Sequence, residues 1–152
     1  MELAMSVHIS LHIRKLGMKY VTMELGGKSP LIILNNAVER AMMANFFSTG
    51  QVCINGTRVF VHDSMKASFE KRLLEKIRFV RMGDVFDPST NFGLLVSKVH
   101  YEKVPDTASK KIKQPSYTAA LLGPAKSIYD SMKITRQEIF GPVTCILSIL
   151  HD

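Results

Sequence analysis

Residues 30–34 read Pro30-Leu31-Ile32-Ile33-Leu34, followed by Asn35-Asn36, then AVERAMMANFFSTG over residues 37–50, then Gln51-Val52-Cys53-Ile54-Asn55-Gly56-Thr57-Arg58-Val59-Phe60-Val61. The aliphatic run 31–34, opened by a proline and closed by two asparagines, reads as a short buried strand. Apolar side chains at 37, 38, 41, 42, 44, 46 and 47 suit a helix over 37–48, buried nearly all round. Gly50 ends that helix and Gln51-Val52-Cys53 begins a loop. The β-branched and aromatic stretch 57–61 reads as the next strand. Strand, helix and strand in this order call for parallel pairing, and so for an α/β class.

The same alternation extends outward in both directions. Upstream, residues 20–24 (Tyr-Val-Thr-Met-Glu) read as a strand broken by Gly26-Gly27. Downstream, Asp63 or Ser64 is the expected cap of a helix whose inner stripe is Met65, Phe69, Leu73 and Ile77, with Lys66, Glu70 and Lys71 facing out. Gly83-Asp84 and Asp87-Pro88 mark turns, and residues 97–104 suit a short helix ended by Pro105. From 106 to 124 no period holds. Residues 143–150 read as a last buried strand. The expectation is one domain with three layers, a mainly parallel sheet and a poorly defined segment over 105–131.

Composition narrows the class without naming a chemistry. The chain has 152 residues, 46% hydrophobic and 22% charged, which is the make-up of a globular domain. Two cysteines exclude a disulfide scaffold or a Cys-based zinc finger, and no metal site is expected. The longest aliphatic run is far short of the roughly 20 residues a bilayer span needs. The first ten residues lack a basic start and an A-x-A pattern, so no signal peptide and a cytoplasmic location are expected. Twenty Lys and Arg against 13 Asp and Glu give a net charge of +7. The positive residues are scattered at Arg14-Lys15, Lys71-Arg72, Arg78, Arg81, Lys110-Lys111 and Lys113, as on solvated helix faces. No specific nucleic-acid partner is expected from that distribution.

Three segments carry potential chemistry. The first is Glu24-Leu25-Gly26-Gly27-Lys28-Ser29-Pro30, in which a carboxylate precedes glycines that let backbone approach a ligand closely. A surface glutamate at a tight turn would look the same. In the second, Cys53 sits in a Gly-bounded loop leading into a strand; a small buried cysteine is the plainer alternative. The third is Gln137-Glu138-Ile139-Phe140-Gly141-Pro142-Val143, which taken alone is an ordinary connection into a strand.

In this order the three segments resemble the glutamate, cysteine and E-I-F-G-P motifs of the aldehyde dehydrogenase superfamily. Within it, Val21 to Ile33, Met43-Ala44-Asn45-Phe46 and Asn55 to Val61 are most similar to the betaine-aldehyde-like 4-trimethylaminobutyraldehyde dehydrogenases. The likeness is dense over 17–104 and 132–149. It implies a three-layer catalytic-domain fragment and NAD(P)+-dependent oxidation of an aldehyde to a carboxylic acid. By the same resemblance Cys53 is the nucleophile and Glu24 the base. Glu138 would hold the nicotinamide-side ribose, Phe140 would pack beside it, and Leu25 and Gly26 would line the nicotinamide pocket. Cys145 falls outside the motifs and reads as a small strand residue.

The family's pyrophosphate-binding Gly-Ser would fall at residues 2–7, which read Glu2-Leu3-Ala4-Met5-Ser6-Val7 without glycine. The Trp-containing segment that supplies its oxyanion asparagine has no counterpart, the chain having no Trp. Between Leu34 and Val38 the chain is shorter than in family members, which usually have an acidic loop before this helix. The expectation is therefore a truncated copy, with 1–16 a remnant of the cofactor-binding part and 17–152 the catalytic segment. Its alternative role is a non-catalytic fragment that associates with full-length dehydrogenase subunits as a homo- or hetero-oligomer.

Overall fold

Three runs of β-branched and aliphatic residues build the sheet. In the computed structural model, which describes residues 9, 11–35, 37–108 and 133–149, they are β1 (Pro30–Ile33), β2 (Arg58–His62) and β3 (Cys145–Ile149). The order is β1-β2-β3 and both pairings are parallel. Pro30 lies opposite Arg58, and Arg58 opposite Cys145, so the three strands start level. The side-chain period of two sends Ile33, Val59, Val61 and Ile146 to one face.

Two helices cover that face. The first, α1 (Val38–Phe46), contributes Val38, Ala41 and Phe46; the second, α2 (Asp63–Ile77), contributes Phe69, Leu73 and Ile77, with Met65 partly buried beside them. Each fully buried large side chain stabilises the fold by about 1.5–3 kcal/mol relative to exposure. On the opposite face, at the level of Cys145, a second cluster joins Val104 of α3 (Lys98–Ala108), Ile134 of α4 (Lys133–Arg136), Ile139, Val143 and Cys145. Helices on both faces of a parallel sheet make the expected three-layer α/β arrangement.

Five local expectations are corrected. Residues 20–24 form no strand; among the described residues no strand lies alongside them, and without a ladder partner an extended segment is not a strand. Pairing begins only where the Arg58 N–H donates to the Ser29 carbonyl (3.2 Å). The first helix is not buried all round: Met43 and Phe47 are exposed, because the sheet and α2 lie on one side of it only. It also stops at Phe46, giving way to a left-handed turn over residues 47–50. The cap of α2 is His62, not Asp63 or Ser64. Strand β2 runs directly into the helix, so its last extended residue accepts the Ser64 N–H on Nδ1 (3.2 Å). Finally, α3 continues past Pro105 to Ala108. A proline forfeits one backbone hydrogen bond, and the helix start is held by Ser97, whose Oγ accepts the His100 N–H (3.1 Å). Of the unpatterned stretch, residues 109–132 lie outside the described residues, as does Leu150.

Candidate active site

The level start of the strands decides where the three motifs meet. Glu24 stands six residues before Pro30, Cys53 five before Arg58, and Glu138 seven before Cys145. Because the strands are adjacent, parallel and in register at these residues, all three segments gather at the amino-terminal edge of the sheet.

Two glycines show how closely they approach. A Cβ placed on Gly26 would fall 1.6 Å from Glu138 Oε2 and 2.5 Å from its Cδ, so the carboxylate lies directly on the glycine backbone. A Cβ on Gly50 would fall 2.3 Å from the Gly141 carbonyl oxygen and 2.7 Å from Pro142 N. The glutamate motif thus meets the E-I-F-G-P motif through Gly26, and the cysteine motif meets it through Gly50.

Cys53 is exposed, on a turn closed by the Asn55 N–H donating to the Val52 carbonyl (3.1 Å). Before the turn the chain is left-handed at Ser48 (φ 49°), Thr49 (φ 60°) and Gly50 (φ 72°). After it, Gly56 N–H donates to Ala44 O (3.1 Å) and Asn55 Nδ2 to Asn45 O (3.4 Å), tying the loop to the end of α1. Gln51 ties the other leg: its Nε2 donates to Leu94 O (3.3 Å) and its Oε1 accepts the Val96 N–H (2.9 Å).

Glu24 is exposed, and no hydrogen bond or ion pair joins it to Cys53 among the described residues. Leu25 is exposed beside Gly26, and Glu138 is half-buried. Phe140 is half-buried with a left-handed backbone (φ 57°). Its carbonyl accepts from His100 Nε2, which puts the proton of a neutral ring on that nitrogen, and the two rings stand edge to face at 6.1 Å.

Behind Glu138 lies Lys28, whose Nζ is buried without a hydrogen-bond partner among the described residues. Burial pushes the Lys28 amine below its usual range, and neighbouring Arg58 adds to this while Cys145 and Glu138 oppose it. Burial raises the Cys145 thiol, against the pull of Lys28 and Arg58. Its Sγ donates to the Ile134 carbonyl (3.4 Å), as expected of a packed strand residue. Gln51, His100 and Lys28 had no assigned role in the sequence. Only the left-handed Gly50 beside Gln51 offers a sequence signal, and His100 offers none.

The Glu138 carboxylate, a double hydrogen-bond acceptor, sits against the side-chain-free backbone at Gly26, so these are the residues that could hold a hydroxyl-bearing ligand group. Among the described residues no group of three or more His, Cys, Asp or Glu could hold a metal ion. None of the described helices is long and apolar enough to cross a membrane.

The sequence profile described as "Aldehyde dehydrogenase family" matches residues 4–151. The chain belongs to the aldehyde dehydrogenase family. Among solved structures, the NAD+ complex of aldehyde dehydrogenase from Bacillus cereus superposes with a TM-score of 0.79 at 27% identity, over 98% of this chain and 34% of that one. Betaine aldehyde dehydrogenase from Staphylococcus aureus, also with NAD+, gives 0.74 at 26% over 96% of this chain and 34% of the other. A Pseudomonas syringae aldehyde dehydrogenase variant holding NAD+ and octanal gives 0.76 at 25%, over 95% and 34%. This aldehyde dehydrogenase chain therefore spans about a third of the length of the structures it matches.

Proposed function

We propose that this chain carries the nucleophile-bearing part of an NAD(P)+-dependent aldehyde dehydrogenase, with Cys53 as nucleophile and Glu24 as base. The observation that carries this reading is the convergence of the three motifs on the amino-terminal edge of the sheet, with Gly26 against Glu138 and Gly50 against Gly141.

The Cys53 thiolate adds to the aldehyde carbon. A C–S bond forms, and the carbonyl π pair moves onto the oxygen. The Cys53 N–H, which has no acceptor among the described residues, is free to donate to that alkoxide. Glu24 takes the thiol proton, gives it up to the solvent it is exposed to, and then takes the proton of the water that cleaves the thioester. Glu138 would hold the nicotinamide-side ribose of the cofactor, and Leu25, Gly26 and Phe140 would line its nicotinamide end. NAD(P)+ bound there would supply the acceptor for the hydride that leaves the substrate carbon.

The substrate reading is an aldehyde bearing a trimethylammonium group, supported by the subfamily likeness of residues 21–33 and by the betaine aldehyde dehydrogenase among the similar structures. The test is NADH formation at 340 nm by the purified chain, native and Cys53→Ser, with betaine aldehyde, 4-trimethylaminobutyraldehyde and octanal. Cys53-dependent turnover favouring the cationic aldehydes supports both parts. Turnover favouring octanal removes the substrate class, and none from a folded chain removes stand-alone activity.

A second reading is favoured by the exposed apolar side chains of Ile32, Leu34, Met43, Phe47 and Val99. In it the chain associates with a longer dehydrogenase subunit. Co-migration with such a subunit in size-exclusion chromatography supports it, and a monomer unaffected by that subunit opposes it.

A further inference from the structure

The turn bearing Cys53 has two legs, anchored by different chemistry. The C-terminal leg is fixed by backbone and asparagine contacts to α1, over the short sequence separation that any loop after a helix has. The N-terminal leg is fixed across 43 to 45 residues, and by one side chain. Gln51 Nε2 donates to Leu94 O at 3.3 Å and Gln51 Oε1 accepts the Val96 N–H at 2.9 Å. A carboxamide is suited to this task because it offers a donor and an acceptor on one planar group, matching the Leu94 carbonyl and the Val96 N–H two residues apart.

The segment it grips is not an ordinary surface loop. Leu94 and Val96 are exposed, but Leu95 between them packs into the second cluster, and Ser97 directly follows as the residue that starts α3. Two residues into α3, His100 holds the Phe140 carbonyl. The nearby Thr49 adds a second approach: a Cβ on Gly93 would lie 3.1 Å from its Oγ1. The cysteine turn is thus referenced to the same helix that holds the E-I-F-G-P segment.

We infer that Gln51 is a positioning residue for Cys53: its carboxamide fixes the turn against residues 94–96 and so sets where the thiol points relative to Phe140 and Glu138. This rests on the reading of Cys53 as the nucleophile, and it deepens that reading by naming what orients it. The atoms of Gln51 touch no reacting group.

The test has two readouts on the whole chain, neither needing turnover. The first is amide exchange at Val96 by NMR. Val96 is exposed on an irregular segment, yet its N–H should exchange at least about tenfold slower than an unprotected amide, because Gln51 Oε1 accepts it. That protection should vanish in Gln51→Met, which keeps the side-chain length, and survive in Gln51→Glu, which keeps the acceptor. The second is the rate of Cys53 carboxamidomethylation against pH, read from the Cys53 peptide so that Cys145 does not contribute. Gln51→Met should slow it about threefold or more, toward the rate of a free cysteine, and Gln51→Glu should recover part of the loss.

An unprotected Val96 in the native chain overturns the clamp without recourse to any variant. Protection at Val96 combined with the same Cys53 rate and pH profile in native, Met and Glu chains overturns the positioning role. A native Cys53 no faster than free cysteine counts against the nucleophile reading, while Val96 protection still decides the clamp.

Discussion

Replacing Gly50 with alanine should be among the most damaging single-methyl changes in this chain. Two independent terms oppose it. Gly50 has φ +72°, a left-handed conformation that costs a residue with a Cβ about 1–2 kcal/mol. The new methyl would also stand 2.3 Å from the Gly141 carbonyl oxygen and 2.4 Å from its carbon, where ordinary contact begins near 3.4 Å. Those are backbone atoms that cannot swing aside, so about 1 Å of movement must be taken up by the segment leading into β3. Such overpacking costs typically about 1–3 kcal/mol. Together the terms come to about 2–5 kcal/mol, or a fall in Tm of about 4–20 °C for a chain of this size. The assay is urea and thermal unfolding followed by circular dichroism, with Gly27→Ala as control, since a methyl there would meet nothing within 4 Å. If Gly50→Ala is as stable as Gly27→Ala to within about 0.5 kcal/mol, the approach of the cysteine and E-I-F-G-P segments is not as described.

Gly26→Ala meets a carboxylate at the end of a side chain rather than backbone, so it should displace Glu138 and leave stability far less changed than Gly50→Ala; under the proposed ribose-holding role of Glu138 it should also weaken NAD+ binding by about tenfold, and urea unfolding and isothermal titration check the two halves. Ser48→Gly should raise stability by about 0.5–1 kcal/mol, because Ser48 is exposed at φ 49° and its loss removes only strain, as read from the urea midpoint. Phe69→Ala, at 2% exposure in the main core, should cost about 3–5 kcal/mol by the same assay. Lys28 supplies a pH prediction. Its amine is held below the ordinary 10.5 in the folded chain, so the unfolded chain binds more protons between the two values and stability from this group rises as pH climbs toward 10.5. The raised Cys145 thiol acts in the opposite sense above pH 9.0, so the Lys28 part is isolated by difference: Lys28→Met should lose that rise relative to native in unfolding curves between pH 7 and 10.5.

The strand-helix-strand unit at 30–62 was legible because burial on one face enforces periodicity: Ile33, Val38, Ala41, Val59 and Val61 lie in one core. The stripe of α2 was legible for the same reason. The motifs Glu24-Leu25-Gly26-Gly27, Gly50-Gln51-Val52-Cys53 and Glu138 to Pro142 could be read as segments. Their meeting followed only from strand register, which no local pattern encodes. The strand expected at 20–24 does not form: the segment has good β propensity but no strand beside it among the described residues, and propensity alone cannot supply a ladder. His62 as a cap was missed because the helix begins where the strand ends, with no linker in which a Ser or Asp would normally serve. The Gln51 clamp spans more than 40 residues and links a side chain to backbone, a contact invisible to periodicity.

In the proposed function Cys53, and not the packed Cys145, is the thiol that adds to an aldehyde. That assignment is tested most directly by mixing the purified chain with NAD+ and 4-trimethylaminobutyraldehyde, quenching in acid within the first turnover, and locating the acyl group by peptide mass. The expected result is the acyl mass on the Cys53 peptide alone, and its absence when NAD+ is omitted or Glu138 is replaced by Gln. An acyl group on Cys145, or none on Cys53 from a folded chain that binds NAD+, would contradict it.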